Sequence, residues 1–537
     1  MARQATVPVQ YDRTKRRDEA VSMTSGRAGV VLPVDYIPLL RGDSSSGQVA
    51  VDVSLAEMPK PLLNGVQVNV QAWFVPKTAD PRFRSYDDFQ AMWNGTSVTA
   101  LGRADEAGPA FSFGAGSSGA KVENAPIMHS LGVHEQGQWN AEIVNSYVLI
   151  HNFRLASHSS KLDRRKYWTE DAVEAKSLAR AFWPSGPFSQ VVPDYERALV
   201  VGSLDLDVTA GQIPVSISEI GSGHIVSLFD GDEVQRKLFA SATQNLQTAN
   251  EEVTASEMFA EMAGQSVSVS LADIDKARET QAFAKLRTAY AGNDTSGFAD
   301  DDAIVADLMS GFRVPERDLY RPWLLDSRRT LVGLTERPAT DGANLDKSVT
   351  IGRAGVSLSL NVPLQDVGGV ILVIVEVLPE RLFERQGDDW VRAMNPSDFP
   401  DALRDVQRVE PVDLVQNRRV DARHSVPDGL FGFEPMNAKW NRRFTRLGGE
   451  FYQDDPLAPN TSARSAIWQA EVVDPTFSED HFLAPDPFPH DVFSDTLADA
   501  FEVVTRHSVV ISGLTQIGDV LREDNAEFTE TDTEGSV

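Results

Sequence analysis

The chain has 537 residues, no cysteine and a formal net charge of −28. The missing cysteines exclude disulfides, thiolate metal sites and cysteine nucleophiles, and the acidic surface repels polyanions on average. A nucleic-acid contact must therefore be local or helped by a basic partner, while an apolar fraction of 42% and this length suit one large β domain with insertions.

Residues 1–30 are polar and mildly basic, with no sustained helical or strand period. They read as an extended arm without a core of its own. Arg3, Arg13, Lys15, Arg16 and Arg17 are its candidate phosphate contacts. No signal peptide is evident, and no apolar run approaches the ~18–20 residues of a membrane span. The chain is expected to be made in a cytoplasm, with no membrane insertion.

Strand signals follow. Val51, Val53 and Leu55 alternate with polar residues, and so do Val66, Val68, Val70, Ala72 and Phe74. Asn64-Gly65 between them is a hairpin signal. Further strands are expected at 145–154, 198–208, 348–361 and 503–511, and the apolar run 370–375 reads as a strand buried on both faces. Helices are predicted near 169–183, 270–290 and 300–311. The gaps between strands are long, so the pattern is a β scaffold with large inserted loops. A jelly roll tolerates this best. The tail 522–537 has six acidic residues and one basic, and reads as solvated.

Each motif that could carry catalysis fails on context. Gly114 to Gly119 fits G-x-G-x-x-G, but Pro109 and Pro126 deny it the flanking strand and helix. Arg41-Gly42-Asp43 reads as a loop. His481 and His490 have acidic neighbours, yet their spacing and three nearby prolines do not suit a zinc site. No cofactor and no enzyme activity are expected. One segment stands out: Lys439, Trp440, Arg442, Arg443, Phe444 and Arg446 interleave cations with rings. Single-stranded nucleic acid is held by that combination. The competing reading makes Trp440 and Phe444 core or interface residues, with the arginines paired to the excess acid.

The order of several segments resembles the major capsid protein of the Microviridae, small icosahedral phages with circular single-stranded DNA. Val31-Leu32-Pro33 through Leu39-Leu40-Arg41-Gly42-Asp43 is similar to that family's N-terminal run, with Arg41 in place of a proline. Phe74-Val75-Pro76, Phe83, Asp88-Phe89 and Trp93-Asn94-Gly95 resemble the segment after its second strand. The strongest likeness is 270–323: a Ser270-capped helix with Asp273, Arg278 and Gln281, then Phe312-Arg313-Val314-Pro315, Asp318 and Arg321-Pro322. Trp323 stands where the family has an acid. Gly368-Gly369 and Gly432-Phe433-Glu434-Pro435 complete the series, whereas 210–265 matches no part of it.

The resemblance implies a single eight-stranded antiparallel jelly roll over 31–521, with insertions at 77–143, 210–345 and 380–500. It implies about 60 copies closing a T=1 shell. It also implies a virion location, a single-stranded DNA genome inside, a small basic DNA-packaging protein, minor pilot or spike proteins, and a host surface receptor. Some members hold structural calcium, but no ligand can be assigned in this sequence. A jelly-roll carbohydrate-binding protein or glycosidase is the alternative; it would call for a sheet lined with aromatics and a pair of acids.

Overall fold

The computed structural model describes residues 13–80, most of 126–193, the strands within 212–261, and 320–338 and 348–517 with short breaks. The chain divides into two compact units, Met1–Leu199 with Leu286–Val537, and Val200–Lys285. It is mainly β, with antiparallel sheets and few helices.

In chain order, the first unit opens with β1 (Thr14–Gly26), β2 (Val30–Leu39), β3 (Asp43–Leu55), β4 (Val66–Pro76) and β5 (Ala179–Arg180). The second unit holds β6 (Gln212–Pro214), β7 (Ser227–Phe229), β8 (Gln235–Ala240), β9 (Leu246–Asn250), β10 (Val253–Glu257) and β11 (Phe259–Glu261). The first unit resumes with β12 (Trp323–Leu331), β13 (Gly333–Pro338), β14 (Ser348–Ser359), β15 (Val362–Gln365) and β16 (Gly369–Pro379). It ends with β17 (Val412–Gln416), β18 (Leu430–Pro435) and β19 (Phe501–Gly513). One sheet of the first unit runs β1-β19-β3-β14-β13, with β15 also on β3, and the other runs β12-β4-β16-β2-β5. Every pairing in both is antiparallel. The second unit contributes β10-β9-β8-β7 and β11-β6.

The alternating strands do what their pattern predicts. Val49, Val51, Val53 and Leu55 of β3 and Phe501, Val503, Thr505, His507, Val509 and Ile511 of β19 are buried, while the residues that alternate with them face outward. Val66, Val68, Val70 and Phe74 of β4 join the same core. Each such side chain contributes about 1.5–3 kcal/mol when fully buried. All of β16 is buried, because the helix Glu142–His158 packs over the second face of its sheet. Gly369 starts β16 where a side chain has no room: a Cβ there would lie 2.2 Å from the Val75 carbonyl oxygen.

Four expectations are corrected. The arm is not extended and free over its second half: Thr14–Gly26 is strand β1, paired along its whole length with β19. Its alternation was invisible because neither face is apolar. Residues expected as a strand at 145–154 lie in the helix Glu142–His158. That helix is buried over most of its surface, from Val144 to Asn152, so it shows no apolar stripe to betray its pitch. Trp323–Leu331, assigned to an insertion, is the framework strand β12 at a sheet edge, where exposure removes the alternation. Asn64-Gly65 closes no hairpin, since β3 and β4 belong to different sheets. The Asn64 amide instead donates to the Trp468 carbonyl at 2.7 Å and accepts from the Trp468 N–H at 2.9 Å.

The expected strands at 348–361, 370–375 and 503–511 appear as β14, β16 and β19. Of the helix expected at 169–183, residues 179–180 form β5, and 169–176 lie outside the described residues. The strand at 198–208 and the helices at 270–290 and 300–311 lie outside them too.

Candidate nucleic-acid interface

The candidate residues fall on two separate elements. On β1, side chains alternate between an inner and an outer face. Lys15 and Arg17 are exposed on the outer face, and Arg13 is exposed just before the strand. Arg16 points inward, where both guanidinium nitrogens bond to Asp43, a carboxylate fully removed from solvent. Arg16 is therefore a structural cation and leaves the set of free phosphate contacts. Asp43 also accepts the Leu40 N–H at 2.7 Å, so the Arg41-Gly42-Asp43 tripeptide is a turn with its acid inside. Gly42 there takes φ +81°, a conformation that favours glycine. Arg3 lies outside the described residues, as do Arg442, Arg443 and Phe444.

The second element is a loop region whose short helical turns hold one aromatic cluster. Asp388 caps the turn Asp389–Arg392 by accepting from the Trp390 and Val391 amides. Asn395 and Asp398 form a reciprocal capping box on Pro396–Asp398. The amides of Asn395 and Met394 hold the Asp398 carboxyl below its usual range. Asn437, at φ 61°, turns the chain into Ala438–Trp440, and its N–H donates to Asp413 at 2.8 Å.

These turns bring three rings together. Trp440 stacks on Phe399 with centroids 5.8 Å apart and planes 21° apart. Trp390 meets both edge-on, at 5.6 Å from Phe399 and 6.5 Å from Trp440. The Lys439 ammonium sits 5.6 Å from the Trp440 ring centre. Trp440 and Phe399 are half-buried, whereas Trp390 is 69% exposed. Val391, Met394, Leu403 and Val406 around them are also exposed. The Trp440 indole N–H is buried and has no hydrogen-bond partner among the described residues.

Charge at this site is largely committed. Arg404 donates to the Phe399 and Pro396 carbonyls at 2.6 and 3.1 Å. Arg392 donates to the Arg418 carbonyl at 2.7 Å, and burial lowers its pKa against the opposing pull of Asp389. Arg446 lies 3.8 Å from Asp388. Lys439 and Arg446 thus border a platform whose most accessible face is Trp390. Such a face can take one stacked base, with phosphates beside the two cations.

Trp440 packs inside the cluster, and the stacking surface belongs to Trp390, which the sequence reading did not select. Its signal was a tryptophan directly after the capping pair Asp388-Asp389, in a stretch too polar to bury it. The two histidines considered for zinc are otherwise engaged. A ring nitrogen of His481 lies 3.0 Å from the Phe188 carbonyl oxygen, and Nδ1 of His490 lies 2.7 Å from Arg27. Among the described residues, no three histidine, aspartate or glutamate side chains gather as a metal site, and no helix is long and apolar enough to cross a membrane. No family model matches the chain, and no curated protein matches it significantly.

Proposed function

We propose that this chain is the coat subunit of a small icosahedral phage, built on a jelly roll and active through self-assembly. The observation that carries this reading is strand order. The framework strands β1, β2, β3 and β4 alternate between the two sheets, and so do β14, β16 and β19. The orders β1-β19-β3-β14 and β12-β4-β16-β2 within those sheets support a reading as two interlocked Greek keys of four strands each. With the segment order that resembles the Microviridae coat, this topology supports a shell of about 60 copies around single-stranded DNA.

The long stretch between β16 and β19 supports the same reading. Among the described residues it has little regular structure and displays Val391, Met394, Leu403 and Val406 to solvent. Loops with exposed apolar side chains gain a purpose when neighbouring copies cover them. The charge of −28 per chain favours a separate small basic packaging protein. No catalytic role is proposed.

Electron microscopy of the purified full-length chain tests the reading. Uniform shells of a few tens of nanometres or less are expected, and a monodisperse monomer or trimer that binds glycans overturns it. The DNA role has its own test. Combined Trp390→Ala and Lys439→Ala substitutions are expected to leave shells intact and to weaken single-stranded DNA binding by about 5- to 150-fold, the range of one lost stacking contact. Unchanged DNA retention removes the platform from that role.

A further inference from the structure

We propose that β1 is a docking edge for the β1 of a second copy, pairing antiparallel across a two-fold axis. The strand lies at the end of its sheet and, among the described residues, pairs only with β19. Its register with β19 runs unbroken from Thr14↔Gly513 to Gly26↔Phe501, without a bulge. It contains no proline. A 13-residue edge without a bulge, unpaired on its far side among the described residues, is a ready template for another strand. The opposite edge of the sheet, β13, is six residues long and ends in a proline.

The occupant follows from charge. β1 displays Lys15, Arg17, Glu19, Val21 and Met23 on its outer face. In a two-fold antiparallel pair, residues face each other at positions with a constant sum. Only the register that sets Arg17 opposite Glu19 of the second copy makes that ion pair, and symmetry makes it twice. The same register lays the Lys15 stem across Val21 of the other copy, which is 58% exposed here, and brings residue 13 to Met23, which is 75% exposed. On the inner face, Asp18 meets its own copy. Each of these carboxylates already lies 3.3 Å from His507 Nε2, and Arg16 of the other copy, held in place by Asp43, is its diagonal cation across the pair. Charge that repels unrelated strands is here complementary to itself, which gives selectivity for a second copy of this chain.

This inference rests on the coat-subunit reading for its setting, because a closed shell supplies two-fold axes. The chain has no cysteine, so introduced thiols report cleanly. Chains carrying Arg17→Cys or Glu19→Cys alone are purified, mixed under assembly conditions and oxidised. Directly opposed cross-strand positions bring the sulfurs within disulfide reach, so the mixture is expected to give about tenfold more product of doubled mass than either chain alone. Arg17→Glu and Glu19→Arg should each weaken self-association by about tenfold, and the double exchange should restore it. Because these side chains point outward, failure to restore cannot be ascribed to a lost core.

Shells without the mixed disulfide overturn the strand pairing and leave the coat reading standing. Mixed disulfide and charge rescue without shells support the pairing and overturn the coat reading. Equal disulfide in mixed and unmixed chains overturns the register. A disulfide-free monomer, as expected if residues 1–12 of the same chain fold back over the edge, overturns the pairing as well.

Discussion

Replacing Arg464 with alanine is expected to remove about 3–5 kcal/mol of stability, the loss typical of breaking a buried ion pair from one side. Arg464 is 1% exposed, and Glu384, its partner, is 7% exposed. The two meet through both terminal guanidinium nitrogens, one of them at 2.5 Å. Arg464 also donates to the Phe451 carbonyl at 2.9 Å and to the Asn460 side chain at 3.1 Å. Glu384 additionally accepts the Gln453 N–H at 3.1 Å. One guanidinium thus ties together three stretches of loop that have almost no regular hydrogen bonding. After Arg464→Ala, the Glu384 carboxylate stays in place without its cation, and desolvation is no longer offset. Adding Glu384→Gln removes the stranded charge and should recover much of the loss. Thermal melts give the difference, and limited proteolysis within 445–470 should show the loops opening first. A single substitution that leaves the melt unchanged would mean that water reaches Glu384 freely.

Stability should also fall on both sides of neutrality, for opposite reasons. His507 is 3% exposed and lies between two acids, with Nδ1 2.6 Å from Asp35 and Nε2 3.3 Å from Asp18. Burial alone would disfavour its protonated form, but the Asp35 hydrogen bond and the two negative charges outweigh it, so its pKa is raised above 6.5. A group with a raised folded-state pKa stabilises fully below its unfolded value and loses that contribution as pH climbs through the folded value. The alkaline loss therefore begins above pH 6.5.

His481, His151 and His158 act the other way. Burial, followed by the nearby Arg381, lowers His481 to about 4. Burial and then Arg154 lower His151 and His158 as well. Their contribution is present above pH 6.5 and is lost as pH falls toward the folded values. For His481 alone, that acid loss is about 3 kcal/mol between pH 6.5 and 4. Denaturation midpoints measured from pH 4 to 9 should trace a dome. His507→Gln should flatten its alkaline limb and leave its acid limb, and His481→Phe should do the reverse. A profile unchanged by either substitution removes these histidines as its cause.

Which parts were legible in the sequence follows from burial on one face. β3, β4 and β19 alternate because one face meets the core and the other meets water; β4 and β19 were read near their true limits, and β3 only over its last five residues. β16 was legible as a continuous apolar run because both its faces are covered. β1 has the same geometry as β19 but carries Arg16, Asp18, Ser22 and Thr24 inward. Its inner face is held by buried partners from elsewhere in the chain, Asp43 and His507, and no local pattern announces partners some 30 or 490 residues away. The helix Glu142–His158 escaped for the opposite reason, being buried almost all round.

The candidate interface was half legible. Lys439 and Trp440 were visible as a cation beside a ring. Trp390 and Phe399 join them only through capped turns some 40 residues earlier, and spacing carries no trace of that approach. The inward turn of Arg16 was equally hidden, since composition counts a cation without saying which way it faces.

The pairing of β1 with β19 also sets a clock. β1 is made early, yet its partner strand among the described residues begins at residue 501. At roughly 5–20 residues per second, the wait is about 25–100 s. During that time both β1 and β3 lack the strand that joins them. A nascent chain therefore cannot finish this sheet until residues 501–513 are made, long after β1 and β3 have emerged.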